Sequence, residues 1–117
     1  MGPTKFLKPR PFKFNPTIPA NVEECIQQMI KWGGEIDQFK KKNEDDAVAS
    51  TYHSVGKWIR NEWGLWTGSQ LKDYFVNKGL NHPDDMSGVI IRAFHRYLNG
   101  LPLDVENEIN RIKSIEI

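Results

Sequence analysis

At 117 residues the chain is the size of one domain and long enough to bury a core without help from disulfides or a structural metal. A formal net charge of +1 gives no global attraction to nucleic acid or to an anionic membrane. A single cysteine, Cys25, excludes an internal disulfide, and no stretch approaches the ~20 apolar residues needed to span a bilayer.

Residues 1–19 hold five prolines and carry Lys5, Lys8, Arg10 and Lys13 with no acid. Proline removes a backbone donor and drives its predecessor toward extended geometry, so an extended arm is predicted, not a helix. Phe6, Leu7, Phe12, Phe14 and Ile18 make it too apolar for a purely solvated linker, and part of it is expected to lie across the body as a strap. The rest of the chain, 20–117, is predicted to be a single helical domain, mildly acidic with 12 bases against 15 acids. The basic residues are basic enough, and interleaved with enough aromatics, to keep nucleic-acid binding through the arm open. The N-terminus has no continuous apolar run of the secretory kind, so a soluble, cytoplasmic protein with no membrane partner is expected.

Asn21 is placed to cap a helix running to about Trp32, with Val22, Cys25, Ile26, Met29 and Ile30 on one face. Within that face Cys25 reads as a buried small hydrophobe. Gly33-Gly34 ends the helix, and a short one follows in "EIDQFKKK". The bases Lys40–Lys42 then meet the acids Glu44–Asp46, which suits a helix C-terminus facing the N-terminus of the next. A helix over about 44–63 carries Val48, Tyr52, Val55, Ile59 and Trp63 as its apolar stripe. A second stripe, Ala49, His53, Gly56 and Arg60, follows from the 3.6-residue period. Trp58 points away from that stripe and needs separate cover, for which the arm is a candidate.

"WGLWTGS" breaks the pattern. Thr67 or Ser69 is placed to cap a helix over about 69–78, closed by Gly79. The next helix runs from about Pro83 to Asn99. Pro83 suits its first position, Asn81 or His82 its N-cap, and Asp84 and Asp85 its first turn. A last helix after "LPLD" has Val105, Ile109 and Ile112 on one face. No strand pair is legible, so the predicted class is all-α: a compact bundle of five or six short helices with an extended N-terminal arm.

The 83–99 helix is apolar enough to be central, yet Asp85, Gly88, Arg92, His95 and Asn99 run along one side with Arg96 beside them. Partly enclosed charge must be paired. Arg60 or Arg92 against Asp84 or Asp85 is the expected pairing. It would place a polar node beside Trp63 and Trp66.

Catalytic signatures are weak. His53, His82 and His95 have no zinc spacing, with neither an H-x-x-x-H pair nor a C-x-x-C. Adjacent Asp84 and Asp85 diverge by about 100° on a helix, unlike a pair that flanks a scissile bond. The 69–78 and 83–99 helices resemble a helix-turn-helix, but the recognition helix would then offer phosphate two aspartates. Four tryptophans invite an interface reading, since Trp and Arg dominate interface hot spots.

"KWIRNEWGLWTGSQL" and "YFVNKGLNHPDDMSGVIIRAFHRYLNG" resemble the core of a small bacterial domain family with an R-N-x-W-G-L-W segment, an H-P-D-D-M-S-G segment and an H-R-Y-L-N-G-like helix end. The resemblance covers about residues 47–113, and more loosely the helix from Asn21. It implies kinship and a bacterial or phage setting, with no established activity. It marks Arg60, Asn61, Trp63, Trp66, His82, Asp84, Asp85, Ser87 and Arg96, to which the polar stripe adds Arg92 and His95. The reading favours a non-enzymatic module that binds another protein, in a toxin-neutralising or regulatory role, with no cofactor, catalytic residue or metal assigned. An enzyme or a small-ligand or metal binder built on His82, Asp84 and Asp85 is the rival. Nucleic-acid binding through Lys5, Lys8, Arg10 and Lys13 is the third alternative.

Overall fold

The computed structural model describes residues 18–33 and 35–115, and every regular element among them is helical. Helix α1 (Val22–Met29) begins at Asn21, whose side chain accepts from the Glu24 amide, and buries Val22, Cys25, Ile26 and Met29. Helix α2 (Ile36–Lys41) contributes Phe39 to the core. Helix α3 (Glu44–Thr51) starts at Asn43, which accepts from the Asp46 amide and donates to the Asp46 carboxylate. Three acids in its first turn face the positive end of the helix dipole.

A π-helical turn, Tyr52–Gly56, joins α3 to α4 (Lys57–Glu62). The three pieces make one continuous helix, so the described chain carries six helices. Helix α5 (Gln70–Asn77) is capped by Ser69, not Thr67: the Ser69 hydroxyl accepts from the Lys72 amide and donates to the Trp63 carbonyl. Helix α6 (Pro83–Leu98) has Pro83 at its start and His82 as N-cap, with the ring Nδ1 accepting from the Asp84 amide. Helix α7 (Val105–Ile115) closes the chain, burying Ile109.

Helix α6 is central. Met86, Val89, Ile90, Ile91, Ala93 and Phe94 are all buried in it, and it packs against α1, α2, α3, α4, α5 and α7. The buried residues of the other helices join it in one cluster. Phe75 and Leu80 plug the cluster from the α5 side and Leu65 from the turn after α4.

Trp32, Trp58 and Trp63 pack edge-on and tilted with ring centroids 5.1–5.8 Å apart. Trp58 is therefore covered by two other tryptophans. Any part that residues 1–17 play in covering it lies outside the described residues. Just after this cluster Gly64 takes a positive φ of 70°, and a Cβ there would sit 2.8 Å from the Gly68 carbonyl oxygen. Only glycine fits this turn without strain.

The π turn corrects the second stripe expected on the long helix. One extra residue in a turn rotates everything before it by about 100°. Gly56 and Arg60 are buried as expected, but Ala49 and His53 are exposed. Tyr52, not His53, comes to stand beside Arg60.

Candidate functional site

Arg60 ends α4 almost fully buried, 7% exposed. Its guanidinium carries three different contacts. Nε lies 3.3 Å from an Asp84 carboxylate oxygen, Nη1 donates to the Ser87 hydroxyl at 2.9 Å, and Nη2 donates to the Tyr52 carbonyl at 3.3 Å. Its carbon centre also lies 4.7 Å from the Tyr52 ring centroid. Ser87 passes the interaction on, donating to the Asp84 carbonyl at 3.0 Å. The expected meeting of Arg60 with the acidic start of α6 is thus present, with Asp84 as the partner.

Gly56 makes room for the guanidinium: a Cβ there would stand 2.9 Å from Arg60 Nη1. Tyr52 adds to the node from its other end. Its phenol is pushed above the usual tyrosine range, first by a hydrogen bond with Asp84 and then by burial. Asp84 itself keeps 36% of its side-chain surface open, so the node reaches solvent on one edge.

That edge is aromatic. Trp66 is 51% exposed and meets the His82 ring edge-on at 5.9 Å between centroids. His82 in turn stands 3.8 Å from the second Asp84 oxygen, and Tyr52 stacks edge-on against His53 at 4.8 Å. Trp66, His82, Asp84, Tyr52 and His53 therefore form one continuous partly exposed strip. Asp85 is half-buried beside it, and Asn61 is exposed on α4. Trp63 belongs instead to the buried tryptophan cluster, 3% exposed, and does not reach the strip's surface.

Arg92, the other base offered for that pairing, is engaged elsewhere. It meets neither Asp84 nor Asp85. Arg92 binds Glu44 at 2.7 Å and Asp45 at 2.8 Å on α3, and Glu108 at 3.3 Å on α7. Arg96 reaches the same Glu44 at 3.1 Å, and Arg111 reaches Glu108 at 2.6 Å. Burial works against the Arg92 charge, but its hydrogen bonds with Glu44 and Asp45 and the nearby Glu108 carboxylate together raise its pKa. The Arg92 guanidinium also holds the Asp45 carboxyl below the usual carboxylate range.

His95 and Asn99 complete this second network. His95 is 5% exposed, and its Nε2 donates to the Lys42 carbonyl at 2.8 Å. The ring packs edge-on against Phe39. Asn99 donates to the Lys40 carbonyl. The polar stripe of α6 therefore clamps one corner: His95 and Asn99 satisfy carbonyls left open at the end of α2, while Arg92 and Arg96 hold the acidic start of α3. These three candidate residues, Arg92, His95 and Arg96, do structural work.

The three histidines do not converge. His82 and His95 lie at opposite ends of α6, and among the described residues no group of three or more His, Cys, Asp or Glu side chains is placed to hold a metal ion. Cys25 is fully buried and burial pushes its thiol well up, so it is a core residue and not a nucleophile at neutral pH. No helix among the described residues is long and apolar enough to cross a membrane. The basic residues expected to bind nucleic acid, Lys5, Lys8, Arg10 and Lys13, lie outside the described residues. What sequence patterning missed are the acidic partners Glu44, Asp45 and Glu108, and Tyr52. Glu44 and Asp45 were visible only as helix-start residues, Glu108 carried no signal of its own, and the π turn hid the place of Tyr52.

No curated protein and no solved structure matches the chain. A family model does match, from residue 18 to residue 98. That span takes in α1 to α6, with the whole of the Arg60 node and with Arg92, Arg96 and Glu44 of the second network, and stops before α7, which carries Glu108 and Arg111. It reaches further toward the N-terminus than the resemblance over 47–113 and ends earlier. The chain belongs to the DUF6794 family, a domain of unknown function.

Proposed function

We propose that this protein is a non-enzymatic interaction module whose ligand is another protein, bound on the strip around Trp66 and His82. The observation that carries this reading is a large aromatic side chain left half open to solvent on a rigid mount. Trp66 lies between the glycine turn at Gly64 and the α6 cap, where Arg60, Ser87 and Asp84 fix the backbone beneath His82. A preordered tryptophan loses little conformational entropy on binding and buries a large area, which is why such residues dominate hot spots. The half-open aromatic edge of the strip supports binding to a partner's surface. A bacterial or phage setting, a cytoplasmic location and a toxin-neutralising or regulatory role are the finer part of the proposal.

The test uses the full chain and the protein products of genes adjacent to its own. Binding is measured by calorimetry for the native chain and for Trp66→Ala. The variant is expected to keep its thermal midpoint and to lose about 2 kcal/mol of affinity, roughly thirtyfold. Binding that survives the substitution unchanged removes Trp66 from the interface. If the native chain binds only nucleic acid, with steep salt dependence, the module reading is wrong in class.

A further inference from the structure

Helix α7 is held to the body as much by charge as by apolar burial. Of its eleven residues only Ile109 is buried, against nine of the sixteen in α6, while Val105 and Ile112 pack at the edge of the core. Glu108 reaches Arg92 on α6 at 3.3 Å, and Glu106 pairs with Lys78 at the C-cap of α5. The Lys113 side chain lies over Gly79, its Nζ 2.7 Å from where a Cβ would stand. Residues 101–104, which lead from α6 to α7, have no regular structure.

We propose that α7 is a detachable flap: it swings off the α5–α6 face while α1 to α6 stay folded, and the ion pairs of Glu106 and Glu108 are its latch. The first support is that opening strands no enclosed charge. Breaking a buried pair is costly when one partner is left alone. Here Arg92 keeps Glu44 and Asp45 when Glu108 departs. Glu108 leaves together with Arg111, which holds it at 2.6 Å from three residues further along α7.

The second support is that the helix brings its own start. Asn107 donates to the Asp104 carboxylate at 2.7 Å, and the Glu108 amide donates to the Asp104 carbonyl at 3.1 Å. Neither bond involves the body. The third is where the core ends. The buried cluster takes a single residue, Ile109, from α7, and the family match stops at residue 98, the last of α6. Opening turns the stripe of Val105, Ile109 and Ile112, and the Arg92 side of α6, into surface. The latch therefore decides whether a second face of this protein is available, independently of the Trp66 strip.

Amide hydrogen exchange of the full chain tests the flap, read at Ile109, Asn110 and Ile112 in mid-helix, away from fraying ends. A freed helix of this length is marginal in water, so these amides exchange when the flap opens. In the native chain they are expected to exchange at least about a hundredfold faster than those of Ile90 and Phe94 in α6. Glu106→Gln/Glu108→Gln should quicken the α7 amides by about tenfold, with the α6 amides and chemical labelling of the buried Cys25 thiol unchanged. One shared rate for α7 and α6 overturns the proposal, since the helix then opens only with the whole fold. A variant that leaves the gap as it was overturns the latch, and one that also quickens α6 and Cys25 overturns the separation. A check without substitution uses sodium chloride. At about 1 M the screening length falls to about 3 Å, and the native α7 amides should exchange about threefold faster while α6 keeps its rate. Exchange in α7 that ignores salt contradicts an electrostatic latch.

Discussion

Arg60 shows how one buried charge is made tolerable. Taking a guanidinium out of water costs several kcal/mol unless each donor finds a partner, and here Asp84, Ser87 and the Tyr52 carbonyl supply them. Replacing Arg60 with methionine keeps most of the aliphatic volume and removes the donors. Arg60→Met is expected to lower unfolding free energy by about 1.5–3 kcal/mol in urea titration, the range for hydrogen bonds to charged groups. A change under about 0.5 kcal/mol would mean that the pair behaves as a surface ion pair. The pairing of Arg60 with Asp84 was legible, because a base closing one apolar helix and an acid opening another must find partners when both are enclosed. The contributions of Ser87 and Tyr52 were not legible, since a serine and an aromatic at helical spacing fit solvent or core equally well. Arg92 misled for a related reason: sequence shows that a buried base needs acids, not which ones.

At the scale of elements, the π turn sets the geometry of the node. Its extra residue turns Tyr52 toward Arg60, and Gly56 leaves the space the guanidinium fills. Two effects oppose each other in Gly56→Ala. Alanine stabilises a helix interior over glycine by about 0.5–1 kcal/mol. The new Cβ, however, would press on Arg60 Nη1 from 2.9 Å, and that nitrogen is held by Ser87. Gly56→Ala is therefore expected to destabilise the native chain by about 1–2 kcal/mol. In an Arg60→Met background the same change should become neutral or stabilising. Stabilisation in both backgrounds, seen by thermal denaturation, would show that the contact is relieved freely. The helix starts were readable because caps are local: Asn21, Asn43 and Ser69 each accept from an amide three residues on. The π turn has no such local mark, because what favours it is a contact eight residues away and another on α6.

For the molecule as a whole, α6 is the organising element, joined to the start of α3 and to α7 through Arg92. This joint is acid-sensitive. The Asp45 pKa is lowered in the folded state, first by its hydrogen bond with Arg92, so the contribution of this carboxylate is present above the ordinary aspartate value of about 3.9. It is lost as pH falls through the lower folded value. Asp45→Asn is expected to be less stable than the native chain near neutral pH, with the gap in thermal midpoint closing at strongly acid pH. A gap that persists in acid would assign the effect to something other than this charge. The sequence by itself determined that the described residues form helices, about where those helices start and stop, and that the helix from Pro83 lies at the centre. Those features follow from caps, glycines and a 3.6-residue apolar period, all of which act within a few residues. Tertiary structure alone decided which acid meets which base, which tryptophans are buried and which one is open. Those outcomes depend on how helices far apart in sequence are brought together, and on one inserted turn that no periodicity announces.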